Sequence, residues 1–204
     1  MTNIELSFII TVFNKEKYLP LTINSILRQI RNISCELIFI DDASTDNSIQ
    51  IIKDLYQDKA NIKIIANDTN IGPSNRLNQG CLRSSGKYLF LMDADDILAK
   101  NAIEVMLKKI KESRADFVFG HSKKIDRSQQ DLMDLYLPED VGSRISNIPL
   151  TTVLSGKYVR MSYLVTKELY EKANGADERV FIQDETLPLR LAEKANIMIT
   201  LDEP

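Results

Sequence analysis

A chain of 204 residues with 44% hydrophobic residues, a formal charge of −3 and a sequence pI near 5.3 is long enough for one α/β domain with a substantial core. The mild, scattered charge excludes the basic footprint of a nucleic-acid binder, and no apolar run reaches the roughly 18–20 residues of a membrane span. Met1–Glu5 does not begin a signal peptide, and Cys35 and Cys81 belong to no Cys-x-x-Cys pattern, so buried reduced thiols and a cytoplasmic protein are expected.

Leu6–Phe13 is rich in β-branched and aromatic residues and stops at the polar Asn14–Lys17, which predicts a first strand. Tyr18–Ile30 carries Leu19, Ile23, Ile26, Leu27 and Ile30 at helical spacing, with Pro20 in the first turn. Glu36–Ile40 reads as a second buried strand ending in Asp41–Asp42, and Ser44 or Thr45 is expected to cap the helix running through Ile49, Ile52 and Leu55. Asn61–Ala66 makes a third strand before the turn-rich Asn67–Gly72. Pro73 then opens a helix carrying Arg76 in its first turns, and Gly86 is expected to end it. Further on, Ala102–Ile110 predicts a helix, Asp116–Gly120 a strand, and Ser122–Pro149 a polar connecting or acceptor-facing segment. Met161–Val165 resumes strand character, Lys167–Ala173 is helical, and Asn174–Ala176 is a turn. Leu187–Ala192 reads as a last helix with Asp184 or Glu185 at its N-terminus.

Lys87–Asp96 organises the rest, because an apolar run of strand length ends abruptly in Asp93, Asp95 and Asp96. Apolar runs of this kind are buried on both faces in parallel sheets. Four strands alternating with three helices over the first 92 residues make a βαβ rhythm, and right-handed crossovers place the loops after residues 13, 40 and 92 on one sheet edge. The acids at 41–42 and 93–96 are thus expected to share a crevice at the carboxyl ends of the strands. Clustered carboxylates repel unless a cation sits among them, and hard oxygen ligands suit Mg²⁺ or Mn²⁺. The competing reading is a helix cap, with Asp95 or Asp96 preceding a helix that begins at Ile97. A calcium loop is excluded, since Ile97 and Leu98 stand where an EF-hand needs an oxygen ligand and a glycine.

Ile9–Asn14, Ile40–Asp46 and Leu91–Asp96 together resemble the inverting family 2 glycosyltransferases with the GT-A fold, a mostly parallel, mixed sheet flanked by helices. Asn70–Asn78 resembles the family's loop after the third strand, and Gln183–Arg190 its late acidic motif. The likeness is strong over residues 5 to about 120 and returns at 175–192. It implies that Thr11, Val12 and Phe13 line a nucleotide pocket, that Asp42 accepts a hydrogen bond from uracil, and that Arg76 lies near the nucleotide or its phosphates. The Asp-x-Asp motif falls on Asp93 and Asp95 with Ala94 between them. Asp95 is implied as the direct ligand of Mn²⁺ or Mg²⁺ and Asp93 as a second, Asp93 and Ala94 also as part of the nucleotide site, with Asp93 and Asp96 contacting ribose or sugar hydroxyls or water on the metal. Asp184 falls on the catalytic base.

Two departures stand out. Gln183 replaces the family's usual acid, which leaves Glu185 as a rival base, and no histidine follows Asp184 to serve as a late metal ligand. The lone His121 is expected to have a structural or surface role. A dehydrogenase would need Gly-x-Gly-x-x-Gly where the chain has Asn14–Lys17, and no P-loop is present. A nucleotidyltransferase would resemble its kin in a glycine-rich basic loop after the first strand, which is also missing. The expectation is a metal-dependent inverting transferase moving a hexose or N-acetylhexosamine from a UDP-sugar to a saccharide or glycolipid acceptor, in surface polysaccharide or glycolipid synthesis. Residues 1–121 would bind the donor and 122–204 face the acceptor, in one catalytic domain shorter than most relatives. Peripheral association with the inner face of the plasma membrane would need elements absent from this chain. The alternative is a catalytically silent nucleotide-sugar-binding or scaffold domain.

Overall fold

A computed structural model describes residues 4–55, 61–122, 136–156, 163–180 and 183–202. Its frame is an eight-stranded sheet in the order β3-β2-β1-β4-β7-β5-β8-β6. β1 (Leu6–Val12), β2 (Cys35–Asp41), β3 (Ile62–Ala66) and β4 (Tyr88–Asp93) run parallel, as the crossovers α1 (Leu19–Leu27), α2 (Ser48–Leu55) and α3 (Pro73–Leu82) require. Beyond β4, β7 (Tyr163–Thr166) is antiparallel to both β4 and β5 (Phe117–Phe119), and β8 (Met198–Leu201) is parallel to β5. The exposed β6 (Ser143–Ser146) closes that edge. α4 (Ala102–Ser113), α5 (Pro149–Gly156), α6 (Lys167–Lys172) and α7 (Gln183–Lys194) complete the described elements.

Side-chain alternation sorts the core into two layers. Phe8, Ile10, Leu37, Phe39, Phe90 and Met92 pack with Leu19, Ile23 and Ile26 of α1, Ile52 of α2 and Ile103 of α4. Ile9, Ile38, Ile40, Leu89 and Leu91 pack on the opposite face with Leu77 and Cys81 of α3 and Leu187 and Leu191 of α7. Both cysteines are buried free thiols, as expected, and burial pushes Cys35 up to about 11 and Cys81 to about 12.

Several expected boundaries change. α2 begins at Ser48, because Asp46 Oδ1 accepts the Ser48 N–H while Ser44 and Thr45 bond Asn14 instead of capping. α3 ends at Leu82, before Gly86; a Cβ at Gly86 would lie 2.6 Å from the Ser7 nitrogen, so its role is close packing beneath β1. β6, α5 and β8 were not expected. Met161, Ser162, Phe181 and Ile182 lie outside the described residues, as does much of the polar segment from 122 to 149.

Candidate active site

The carboxyl ends of β1, β2 and β4 meet at one edge because their registers align Thr11 with Asp93 and Val12 with Asp41. The Asp42 N–H donates to the Val12 carbonyl at 2.8 Å and the Ala94 N–H to that of Thr11 at 3.2 Å, which carries the pairing just past the strands. Thr11 and Asp93 follow Ile9 and Leu91 onto the α3/α7 face, where Thr11 Oγ1 donates to Asp93 Oδ1 at 2.8 Å. Val12 and Ala94 are buried, whereas Phe13 is exposed.

The loops after β1 and β2 are stapled together. Asn14, at a φ of 53°, donates its N–H to Ser44 Oγ and accepts the Thr45 N–H on its side-chain oxygen. Glu16 is tied to the next two residues, donating its N–H to the Asp46 carboxylate and accepting the Asn47 N–H on its own carboxylate. Polar backbone groups are thus satisfied between the loops, which ties the two loops to each other.

Asp42 and Arg76 form an ion pair of 2.7 Å with each side chain 6% exposed. The Ile71 and Gly72 N–H groups donate to Asp42 at 3.0 and 2.9 Å, so three donors meet a carboxylate with about four lone-pair sites. Among the described residues one acceptor site on Asp42 is left over. Arg76 also donates to the Thr69 carbonyl and to Gln79.

After β4 the chain turns at Asp95 and stays non-helical until α4 begins at Ala102 with Asn101 as its N-cap. Asp95 and Asp96 therefore cap no helix, and that reading of them fails. Asp95 is paired with Lys15 from the β1–α1 loop, with 29% of the lysine side chain and 35% of the aspartate exposed. Burial, then the charges of Asp93 and Asp95, push the Asp96 carboxyl up to about 7. Burial likewise raises Asp93, against the Thr11 hydrogen bond. A carboxylate cluster that has already drawn in an ammonium group is one that favours a cation. Among the described residues no three carboxylate, imidazole or thiolate groups converge as a ready-made cage. Asp95 and Asp93 nonetheless suit Mg²⁺ or Mn²⁺, which bind through one or two carboxylates and complete their shells with substrate phosphates and water.

Asp184 lies in the first turn of α7, whose Leu187 and Leu191 dock on the same face as Leu91 and Tyr163. Its charge helps to raise both Asp96 and the buried Tyr163, which stacks on Phe119 at 5.8 Å. α7 thus brings a separate carboxylate to the acids that end β4.

The model of "Glycosyl transferase family 2" matches residues 7–157. The chain belongs to glycosyltransferase family 2. Among curated relatives of this family 2 chain, glycosyltransferase GlyG of Streptococcus pneumoniae is 32% identical over 124 residues, 60% of this chain and 40% of that protein. The poly(ribitol-phosphate) β-N-acetylglucosaminyltransferase TarS of Staphylococcus aureus is 27% identical over 183 residues, 86% of this chain and 31% of that protein. The chain therefore spans well under half the length of these two relatives. TarS residues 1–349 in complex with UDP-GlcNAc superpose at a TM-score of 0.80 with 21% identity, covering 98% of this chain and 57% of that one. A mannosyltransferase of Pyrobaculum calidifontis in complex with GDP-Man and Mn²⁺ superposes at 0.65 with 14% identity, covering 88% of this chain and 49% of that one. The fold is GT-A.

In this family 2 chain, Thr11, Val12, Asp42, Arg76, Asp93, Ala94 and Asp95 gather at the ends of β1, β2 and β4, with Asp184 approaching from α7. The Gln183 and Glu185 side chains lie outside the described ones. No helix among the described residues is long and apolar enough to cross a membrane. Lys15 was missed as a member of the acidic cluster, as were Ser74, Asn78 and Arg190 as residues that hold α7. Ser74, Asn78 and Arg190 had a sequence signal, since all three fall inside the motif stretches, whereas Lys15 had none.

Proposed function

We propose that the chain is the donor-binding and catalytic part of an inverting transferase that moves a sugar, an N-acetylhexosamine or hexose, from a UDP-sugar to an acceptor hydroxyl. The observation that carries this reading is the arrangement of acids. Asp42 is held by Arg76 at one end of the edge, Asp93, Asp95 and Asp96 lie in the middle, and Asp184 sits on a separate helix. TarS, whose fold matches over 98% of the chain, has been solved with UDP and with UDP-GlcNAc, which favours uridine and an N-acetylhexosamine.

Asp42 offers its remaining lone pair to the uracil N–H, as an acceptor fixed by Ile71, Gly72 and Arg76. Thr11 orients the Asp93 carboxylate through its hydroxyl. When bound at Asp95 and Asp93, Mn²⁺ or Mg²⁺ supplies Lewis-acid charge for the departing diphosphate. The acceptor hydroxyl must lose its proton as it attacks the anomeric carbon from the face opposite the leaving group. Asp184, on a different element from the donor carboxylates, would take that proton, and a single displacement would invert the centre. Residues 122–204 would shape the acceptor side, for a saccharide or glycolipid reached at the inner face of the plasma membrane.

The test is turnover of UDP-N-acetylglucosamine and UDP-hexoses with wild type, Asp184→Asn and Asp95→Ala. The proposal expects nucleotide release by wild type, a loss of about 10²-fold or more in Asp184→Asn, and retained UDP binding in that variant. Equal, slow release by wild type and Asp184→Asn would leave a silent nucleotide-sugar-binding domain.

A further inference from the structure

We propose that Asn78 is the positioning residue that keeps the base-bearing helix in register with the nucleotide pocket; this rests on the reading of Asp42 as nucleotide contact and Asp184 as base. α3 is a bracket with two working faces. Towards β2, Gly72 at its N-cap and Arg76 in its first turns bind Asp42, and Gln79 bonds Asn67. On the other side Ser74 and Asn78, one turn apart, face the segment that leads to α7. Ser74 Oγ donates to the Val180 carbonyl at 2.7 Å.

Asn78 uses its whole hydrogen-bonding capacity across this junction. Its amide nitrogen donates to the Ala176 carbonyl at 3.0 Å and to Glu178 Oε1 at 2.9 Å. Its oxygen accepts the Ala176 N–H at 2.9 Å and the Tyr170 hydroxyl at 2.6 Å. The turn is shaped to fit, since Gly175 takes a φ of 60° and a Cβ there would collide with Asn78 Oδ1. α7 grips the same turn from its own side, where Arg190 donates to the carbonyls of Gly175 at 2.9 Å and of Ala173 at 3.1 Å. Arg190 stands six residues after Asp184, roughly 9 Å along the same helix. One asparagine and one arginine clasping a single turn thus join the helix that holds Asp42 to the helix that carries Asp184. A carboxylate that must meet an acceptor proton within hydrogen-bond reach depends on that join, since a misplacement of about 1 Å can cost about 10²-fold in rate.

Asn78→Asp tests this without emptying the site, because it keeps volume and both acceptor contacts while deleting both donor bonds and setting a charge against Glu178; Asn78→Ala removes all four. Three quantities are read: calorimetric affinity for UDP with Mn²⁺, turnover of UDP-N-acetylglucosamine, and hydrogen exchange of peptides covering 173–180 with and without UDP. Positioning predicts UDP affinity within about twofold of wild type and turnover lower by about tenfold or more. UDP should slow exchange over 173–180 in wild type and fail to do so in Asn78→Asp. UDP affinity and turnover falling together, or UDP protection of 173–180 persisting unchanged in both variants, would overturn it. Failure of wild type to bind UDP would instead bring down the donor site itself, and the positioning role with it. A wild type that binds UDP but does not turn over would remove only the base assignment, and the exchange experiment would still decide whether Asn78 ties the turn to the nucleotide pocket.

Discussion

Replacing Asp42 by alanine should destabilise the protein far more than a pocket-edge substitution ordinarily does. The change leaves the Arg76 guanidinium buried with, among the described residues, the Thr69 carbonyl and Gln79 as its acceptors, and it strips the Ile71 and Gly72 N–H groups of their shared partner. Breaking a buried ion pair by removing one member costs about 3–5 kcal/mol. At about 2–4 °C per kcal/mol for a domain of this size, Tm should fall by about 6–20 °C. Converting the survivor as well, in Asp42→Ala/Arg76→Met, removes the stranded charge, so the double variant should melt above the sum of the single losses by an interaction of at least about 1 kcal/mol. Thermal melts of the four proteins in one buffer complete the cycle. An Asp42→Ala melt within about 2 °C of wild type, or strictly additive losses, would refute the view of this pair as the buried anchor of the α3 N-terminus.

Three other perturbations have definite signs. The Asp96 carboxyl is raised to about 7 from 3.8, so the folded state holds its proton longer than the unfolded chain and stability is lost as pH rises through that interval. In metal-free buffer the Tm advantage of Asp96→Asn over wild type should therefore grow between pH 4.5 and 7.5; a constant or shrinking gap would contradict the burial and charge that raise it. Lys15→Met removes the cation that occupies Asp95, and because that pair is partly exposed the gain in Mn²⁺ affinity of the nucleotide-free protein should be about twofold to fivefold. Calorimetry showing weaker Mn²⁺ binding would mean that Lys15 supports the site and does not compete for it. Gly175→Ala forces a side chain at a φ of 60° against Asn78, so it should cost at least about 1 kcal/mol in urea unfolding and accelerate exchange in the 173–180 turn.

The parallel half of the fold was legible because its signals are local. β4 ends in acids within one residue, the crossover helices carry clear spacing, and handedness places all three loops on one edge. β6 was not, since Ser143–Ser146 has no apolar alternation and is fixed only by pairing with β8. α2 started late because Ser44 and Thr45 found partners on a different loop, about thirty residues away, which no local capping rule can see. The site follows the same division. Aspartates at strand ends announce themselves, whereas Lys15 joins them across 80 residues and Asn78 reaches the α7 turn across 98. The partnership of Arg76 with Asp42 was equally hidden, because the sequence offers Arg76 many acids and only packing selects a buried one.

The most direct test of the donor site is thermal stability against UDP and GDP, each with and without Mn²⁺, for wild type and Asp95→Ala. A nucleotide at about 100 times its dissociation constant adds about 2.7 kcal/mol, or about 5–11 °C for a domain of this size. UDP plus Mn²⁺ should give a shift of that order, GDP a much smaller one, and Asp95→Ala should lose the metal-dependent part. Equal shifts with UDP and GDP, or a UDP shift indifferent to both Mn²⁺ and Asp95, would contradict it.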